Sequence, residues 1–337
     1  MTNKQTYSAA GVDIDAADRT KARLKEIVRT TFRPEVLTDI GHFGGLFRMP
    51  TGYRDPVLVS SSDGVGTKLR IAIAMQRYDT VGQDLVNHCV NDILCCGALP
   101  LFFLDYIAMG KLAPERVESI VGGLSIACKA QGCALVGGET AEMPGIYQED
   151  DFDLAGFIVG IVEREKILDG KSIVPGDAVF GLPSTGLHTN GYSLARKVFE
   201  GKSFNRQFPS LGKRLGDALL EIHRCYLPDL KDTLHLVKGL AHMTGGGFEG
   251  NIPRILPAGA AVLLQRSSWD VPPIFRLIQK TGNIDDAEMH RVFNMGLGMI
   301  IICAANNAPE FTRLVPQARP IGRVIAGKTS GPRVIIE

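Results

Sequence analysis

Between Thr80 and Cys96 the residues Leu85, Cys89, Ile93 and Cys96 recur at intervals of four, four and three, the spacing of one apolar helix face. Ala22, Leu24, Ile27 and Val28 among basic residues predict a helix over Ala16–Thr31, and Pro114–Gln131 predicts another. Short apolar runs read as strands at Pro56–Val59, Leu101–Ala108, Cys133–Val136 and Leu154–Val162. Later in the chain, strands are expected at Ala178–Leu182, Ala260–Leu264, Met299–Ala304 and Ile321–Ala326, with helices at Tyr192–Glu200, Arg214–Arg224 and Pro273–Lys280. Asp169-Gly170-Lys171 and Pro175-Gly176 interrupt the pattern within Ile167–Gly176. Two domains follow, residues 1–168 and 169–337, each mixing strands and helices as an α/β or α+β unit. A length of 337 residues agrees with two cores.

Chemistry gathers where apolar runs end. Asp63-Gly64-Val65-Gly66-Thr67-Lys68 follows a strand, and Gly64 and Gly66 let backbone N–H groups approach a phosphate. Lys68 can neutralise that phosphate and Asp63 can hold Mg²⁺. The spacing is not that of a Walker A loop, and a plain glycine turn is the competing reading. On the Thr80–Cys96 helix, Asp84, Asn87, His88 and Asn91 form a polar stripe, with Asp92 one step round. The stripe is either a solvated face or a cleft wall that offers Asn91 and Asp92 to phosphate and metal. Gly137-Gly138-Glu139 repeats the first motif, so Asp63, Asp92 and Glu139 are candidate ligands of one Mg²⁺. Ser184–Ser193 runs from a strand into a helix and carries His188 and Asn190, a composition suited to anions and proton transfer. His242–Phe248 and Phe293–Met299 are further glycine loops.

Composition narrows the partners. Lysine plus arginine (37) nearly cancels aspartate plus glutamate (36), which gives no electrostatic case for nucleic acid or an anionic membrane. No secretory h-region or bilayer-length apolar run is present, so a cytoplasmic location is expected. Seven cysteines without a Cys-x-x-Cys pair read as reduced, packed thiols.

The ordered set of segments is specific where each one alone is weak. Tyr7–Asp15, Gly41–Gly45, Asp63–Lys68, Val90–Asp92, Pro100–Tyr106, Gly137–Pro144, Gly186–Leu194, Thr244–Pro253 and Phe293–Met299 together resemble the aminoimidazole ribonucleotide synthetase (phosphoribosylformylglycinamidine cyclo-ligase) family of purine biosynthesis. The resemblance implies a two-domain fold, with an N-terminal mixed sheet forming a barrel-like homodimer interface and a C-terminal α/β sandwich. It implies Mg-ATP bound without a Walker fold, and ring closure of formylglycinamidine ribonucleotide to aminoimidazole ribonucleotide, ADP and phosphate. Residues then expected on the nucleotide are Asp13, Asp63, Gly64, Val65, Gly66, Thr67, Lys68, Asn91, Gly137, Gly138 and Glu139. His188, Lys68 and Asn190 are expected to act on the substrate. Another ATP-using enzyme of the superfamily, such as formylglycinamidine synthase, and a non-catalytic nucleotide-binding dimer are the alternatives.

Overall fold

The computed structural model describes residues 23–328 and 330–337. The N-terminal unit is a four-stranded mixed sheet in the order β1-β4-β2-β3. Its strands are β1 (Pro56–Gly64), β2 (Leu99–Met109), β3 (Ala134–Glu142) and β4 (Phe152–Glu163). β4 runs antiparallel to β1 and β2, whereas β2 and β3 are parallel. The crossover between the parallel pair is the helix Pro114–Ala130, as a parallel connection requires.

One face of this sheet packs on the helix Asp79–Leu94, whose Leu85, Cys89 and Ile93 are at most 1% exposed. They meet Phe103, Ile107 and Ile158, equally buried, from alternate positions of β2 and β4. Burying each such side chain contributes roughly 1.5–3 kcal/mol. The other face stays open: Leu58, Phe157 and Leu99 are 55%, 46% and 39% exposed.

The C-terminal unit is a six-stranded sheet built from β5 (Ala178–Pro183), β6 (Val237–His242), β7 (Ala260–Leu264), β8 (Leu297–Cys303), β9 (Arg319–Ala326) and β10 (Val334–Ile336). The order is β10-β7-β9-β5-β8-β6, antiparallel except for the β10–β7 edge. β8 is buried along its whole length, which accounts for its unbroken run Met299–Cys303. All seven cysteines are free. Among the described residues no helix is long and apolar enough to cross a membrane.

Three local readings change. The expected helix Arg214–Arg224 stops after Leu215–Leu219, because the following backbone is captured by the other unit. Val237–His242, given no element by the sequence, is a strand that runs into the glycine loop. Gly137-Gly138-Glu139 lies inside β3, not in a loop. Gly138 is needed there because a Cβ would fall 2.2 Å from Asp105 Oδ1 on the adjacent strand.

Candidate active site

The polar stripe of the Asp79–Leu94 helix is a seam between the two units. Asp84 Oδ1 accepts the His223 N–H at 2.7 Å, and Asn87 Nδ2 donates to the His223 carbonyl at 2.7 Å. Asn91 Nδ2 donates to the Arg224 carbonyl, while its Oδ1 accepts the Tyr226 N–H, both at 2.8 Å. Side chains of one unit thus satisfy the backbone of residues 223–226 in the other, taking the part a neighbouring strand would play.

Lys68 belongs to this seam. The sequence placed it on a phosphate, but its side chain is fully buried, with Nζ 2.7 Å from Asp84 Oδ2 and donating to the Glu221 carbonyl at 2.7 Å. Burial pulls the Lys68 pKa down and the Asp84 pKa up, against the mutual attraction of the pair. Asn91 is likewise committed to backbone and is fully buried. Neither side chain faces an open cleft.

Beside the seam, four histidines and two carboxylates close into one network. His88 Nε2 lies 2.8 Å from Asp63 Oδ2, and His88 Nδ1 meets Thr189 Oγ1 at 2.7 Å. Thr189 Oγ1 is 3.4 Å from His223 Nδ1, and His223 Nε2 faces His242 Nε2 at 2.9 Å. His242 Nδ1 reaches Asp92 Oδ1 at 2.8 Å, and the other Asp92 oxygen accepts from Ser61. His188 stacks on His223 with ring centroids 4.0 Å apart.

Electrostatics sorts these groups. Burial pulls the His88 pKa down, but Asp63 and Asp92 outweigh it and the net shift is upward. Burial works against the Asp63 and Asp92 carboxylates, yet bonds from His88 and His242 leave both below the ordinary value. Burial and the neighbouring cationic groups hold His188 and His223 well below the usual histidine range. Burial also lowers His242, with Asp92 opposing.

The mouth of the site is formed by the end of β1, the single turn Gly66–Lys68 and the Ser184–Gly191 loop. Asp63 is 45% exposed and Asp92 26%. Thr67 and Ser193 are exposed, with their hydroxyls 3.3 Å apart across the two units. Gly66 offers exposed backbone beside them, whereas the Gly64 N–H donates to Asp63 Oδ1 at 2.7 Å and the Val65 side chain is buried. Asn190 is half-buried at the rim. His188 is not at the rim. It is 1% exposed, adopts φ +62° and receives the Thr185 N–H on Nε2 at 3.2 Å. Such a backbone is uncommon outside glycine and marks a residue held by its surroundings. The Gly-Leu-Gly turn explains the fit: a Cβ on Gly298 would lie 1.9 Å from Tyr226 Oη and 2.6 Å from His188 Cε1.

Of the three predicted Mg²⁺ ligands, the structure brings together Asp63 and Asp92 through His88, which lies 3.8 Å from Asp92 Oδ2. Glu139 is elsewhere. Asp63 pairs with Gly156, Gly156 with Asp105, and Asp105 with Gly138, so Glu139 stands three strand spacings away. At about 4.8 Å per spacing this is roughly 14 Å, too far for one ion within one chain. Gly137 and Gly138 share that distant edge. Asp13 lies outside the described residues. Sequence reasoning missed His223 and Ser61, and named Thr189 and Ser193 only as hydroxyls of the Ser184–Ser193 loop. His223 follows an apolar stretch with no glycine or periodicity to flag it, and only its paired contacts reveal it.

Residues 46–162 match the N-terminal domain of AIR synthase related protein, and residues 174–335 match its C-terminal domain. The chain is 53% identical over 313 residues to the phosphoribosylformylglycinamidine cyclo-ligase of Citrifermentans bemidjiense, covering 91% of this chain and 90% of that one. It is 51% identical over 340 residues to the phosphoribosylformylglycinamidine cyclo-ligase of Myxococcus xanthus, covering 98% and 99%. Among solved structures it resembles thiamine-monophosphate kinase from Stenotrophomonas maltophilia, with TM-score 0.69, 17% identity and coverage of 97% and 96%. It also resembles the hydrogenase maturation protein HypE in complex with ATP, with TM-score 0.65, 18% identity and coverage of 95% and 91%. At that identity the likeness is one of fold.

Proposed function

This chain belongs to the AIR synthase related protein family, and from that premise we propose that it closes the imidazole ring of aminoimidazole ribonucleotide from formylglycinamidine ribonucleotide, with ATP giving ADP and phosphate. The observation that carries this reading is identity of 53% and 51% to named cyclo-ligases over nearly the whole chain.

The chemistry has two parts. An amide carbonyl is a poor electrophile, so its oxygen first takes the γ-phosphoryl group of ATP. The internal amine then attacks that carbon, the ring closes, and phosphate leaves. Phosphoryl transfer demands alignment and charge neutralisation more than covalent help. The exposed backbone of Gly66, with the Thr67 and Ser193 hydroxyls, supplies donors for phosphate oxygens at the mouth, while the Gly64 N–H holds Asp63 Oδ1 in place. Asp63 and Asp92, ionised and only partly buried, fit a hard cation and would hold Mg²⁺. When bound, Mg²⁺ would neutralise phosphate charge. Asn190 would orient substrate from the rim.

His188, Lys68 and Asn91 act from beneath. The buried ring and the seam hold the Ser184–Gly191 loop against the N-terminal unit, so both walls keep one spacing. Ring closure is intramolecular, and a fixed cleft that folds the substrate supplies much of its rate.

The open apolar sheet face around Leu58 and Phe157 supports a homodimer joined sheet to sheet. The location is proposed to be cytoplasmic. Purified protein supplied with formylglycinamidine ribonucleotide and Mg-ATP should form imidazole product and ADP together. A second reading is phosphorylation of another acceptor, on a fold that the thiamine-monophosphate kinase from Stenotrophomonas maltophilia shares. It would show as ADP release with that acceptor and none with the ribonucleotide.

A further inference from the structure

The two carboxylates at the mouth are held unequally. Asp92 has a side-chain partner on each oxygen, His242 Nδ1 at 2.8 Å and Ser61 Oγ at 3.1 Å. Asp63, 45% exposed, has the Gly64 N–H on Oδ1 and, among the described residues, one side chain against Oδ2. That side chain is His88, whose Nε2 stands 2.8 Å from Asp63 Oδ2 and 3.8 Å from Asp92 Oδ2. The ring comes from the middle of the Asp79–Leu94 helix and is 2% exposed. Both neighbours of Nε2 are ionised carboxylates, which only accept, so Nε2 carries a hydrogen. No aligned bond takes up that hydrogen. A buried donor left unpaired is costly, and a small turn of the exposed Asp63 carboxylate would align the two.

The other ring nitrogen faces the second unit. His88 Nδ1 meets Thr189 Oγ1 at 2.7 Å, and Thr189 Oγ1 also accepts from Asn190 Nδ2 at 3.4 Å. One imidazole thus links Asp63 at the end of β1 to Asn190 at the rim of the Ser184–Gly191 loop. We propose that His88 is a positioning residue for ring closure: it aims the Asp63 carboxylate at the nucleotide's metal and, through Thr189, fixes that aim relative to Asn190. The proposal rests on the cyclo-ligase reading and adds to it a residue that touches neither nucleotide nor substrate. Phosphoryl transfer needs the γ-phosphate in line with the amide oxygen, and each wall carries one of the two partners. A misplacement of about 1 Å between them costs about 100-fold in rate. The Lys68, Asp84 and Asn91 contacts set the distance between the units, whereas His88 sets the direction of one exposed carboxylate within that frame.

The test compares two substitutions of this residue in the full chain. A glutamine amide takes the place of Nε2 and an asparagine amide that of Nδ1, so His88→Gln keeps a donor for Asp63 while His88→Asn keeps a partner for Thr189. Binding of Mn²⁺ alone is read from the loss of its free-ion electron paramagnetic resonance signal. His88→Asn should weaken that binding about 10- to 100-fold, the usual effect of removing a group that braces a ligating carboxylate, and His88→Gln should stay within about threefold of wild type. At saturating Mg-ATP, His88→Asn should lower kcat about 10- to 100-fold and leave the KM for the ribonucleotide within about threefold. Thr189→Val removes the hydroxyl at constant shape and should lower kcat in the same way. The two residues act in series, so the double variant should be no slower than His88→Asn alone. Circular dichroism establishes that each variant is folded, and should His88→Asn not fold, the kcat of Thr189→Val decides. A wild-type chain that binds Mn²⁺ no more tightly than His88→Asn overturns the proposal. Equal weakening in folded His88→Asn and His88→Gln overturns it as well, because the ring would then serve packing. A wild-type kcat in Thr189→Val also overturns it. The Mn²⁺ comparison needs no ribonucleotide, so a failure of the cyclo-ligase reading, seen as no imidazole from the wild-type chain, is scored apart.

Discussion

Lys68→Met separates two accounts of the Asp63–Lys68 motif. If Lys68 bound phosphate, its loss would raise the KM for ATP and leave stability nearly unchanged. The structure buries it completely on Asp84, with a second bond to the Glu221 carbonyl. Removing one partner of a buried pair leaves the other uncompensated, at about 3–5 kcal/mol. Asp84→Leu should cost a similar amount, because it also orphans the His223 N–H. The double variant removes both charges at once, so its cost should fall short of the sum by up to about 3 kcal/mol. Urea unfolding followed through Trp269, the single tryptophan and 8% exposed in the C-terminal unit, measures all three. A loss below about 1 kcal/mol for Lys68→Met, with a raised KM for ATP, would refute the seam.

Gly298→Ala places a methyl against Tyr226 and His188 and should destabilise by about 1–3 kcal/mol, read as a lowered urea midpoint with the same slope. Asn91→Ala strips partners from the Arg224 carbonyl and Tyr226 N–H, at about 1–3 kcal/mol for each buried group; an unchanged midpoint would contradict this. The pH dependence has a defined sign. His188, His223 and His242 have lowered pKa values in the fold, so below about 6.5 the unfolded chain takes protons that the fold refuses. The protein should therefore lose stability as pH falls from 7 to about 5, while the raised His88 contributes fully there and loses its share as pH rises. A flat urea midpoint over that range would speak against the buried neutral cluster. Phe157→Lys on the open sheet face should shift sedimentation toward a monomer if that face joins two copies.

The fold was legible where one physical signal acts alone. The Leu85–Cys96 stripe marked a helix because one face meets a sheet, and Met299–Cys303 marked a strand because both faces are covered. Glycine pairs misled at Gly137-Gly138, where the glycine serves a neighbouring Asp105 side chain instead of a turn. The Asp84–Asn91 stripe was visible as polar, but no local feature distinguishes a solvated face from one that captures backbone 133–139 residues away. Asp63 and Asp92 were found as acids near glycine or apolar sequence, and the structure adds the histidines that hold each. His223 stayed hidden, and Thr189 was seen only as a loop hydroxyl, because their pairing arises across the seam.

The central claim is that this cleft couples ATP cleavage to imidazole formation. Single-turnover incubation of enzyme with formylglycinamidine ribonucleotide and Mg-ATP, with ADP and imidazole product quantified in the same quenched samples, tests it directly. The account predicts one imidazole formed for each ADP, and neither without the ribonucleotide. ADP released at the same rate with no imidazole formed would contradict it.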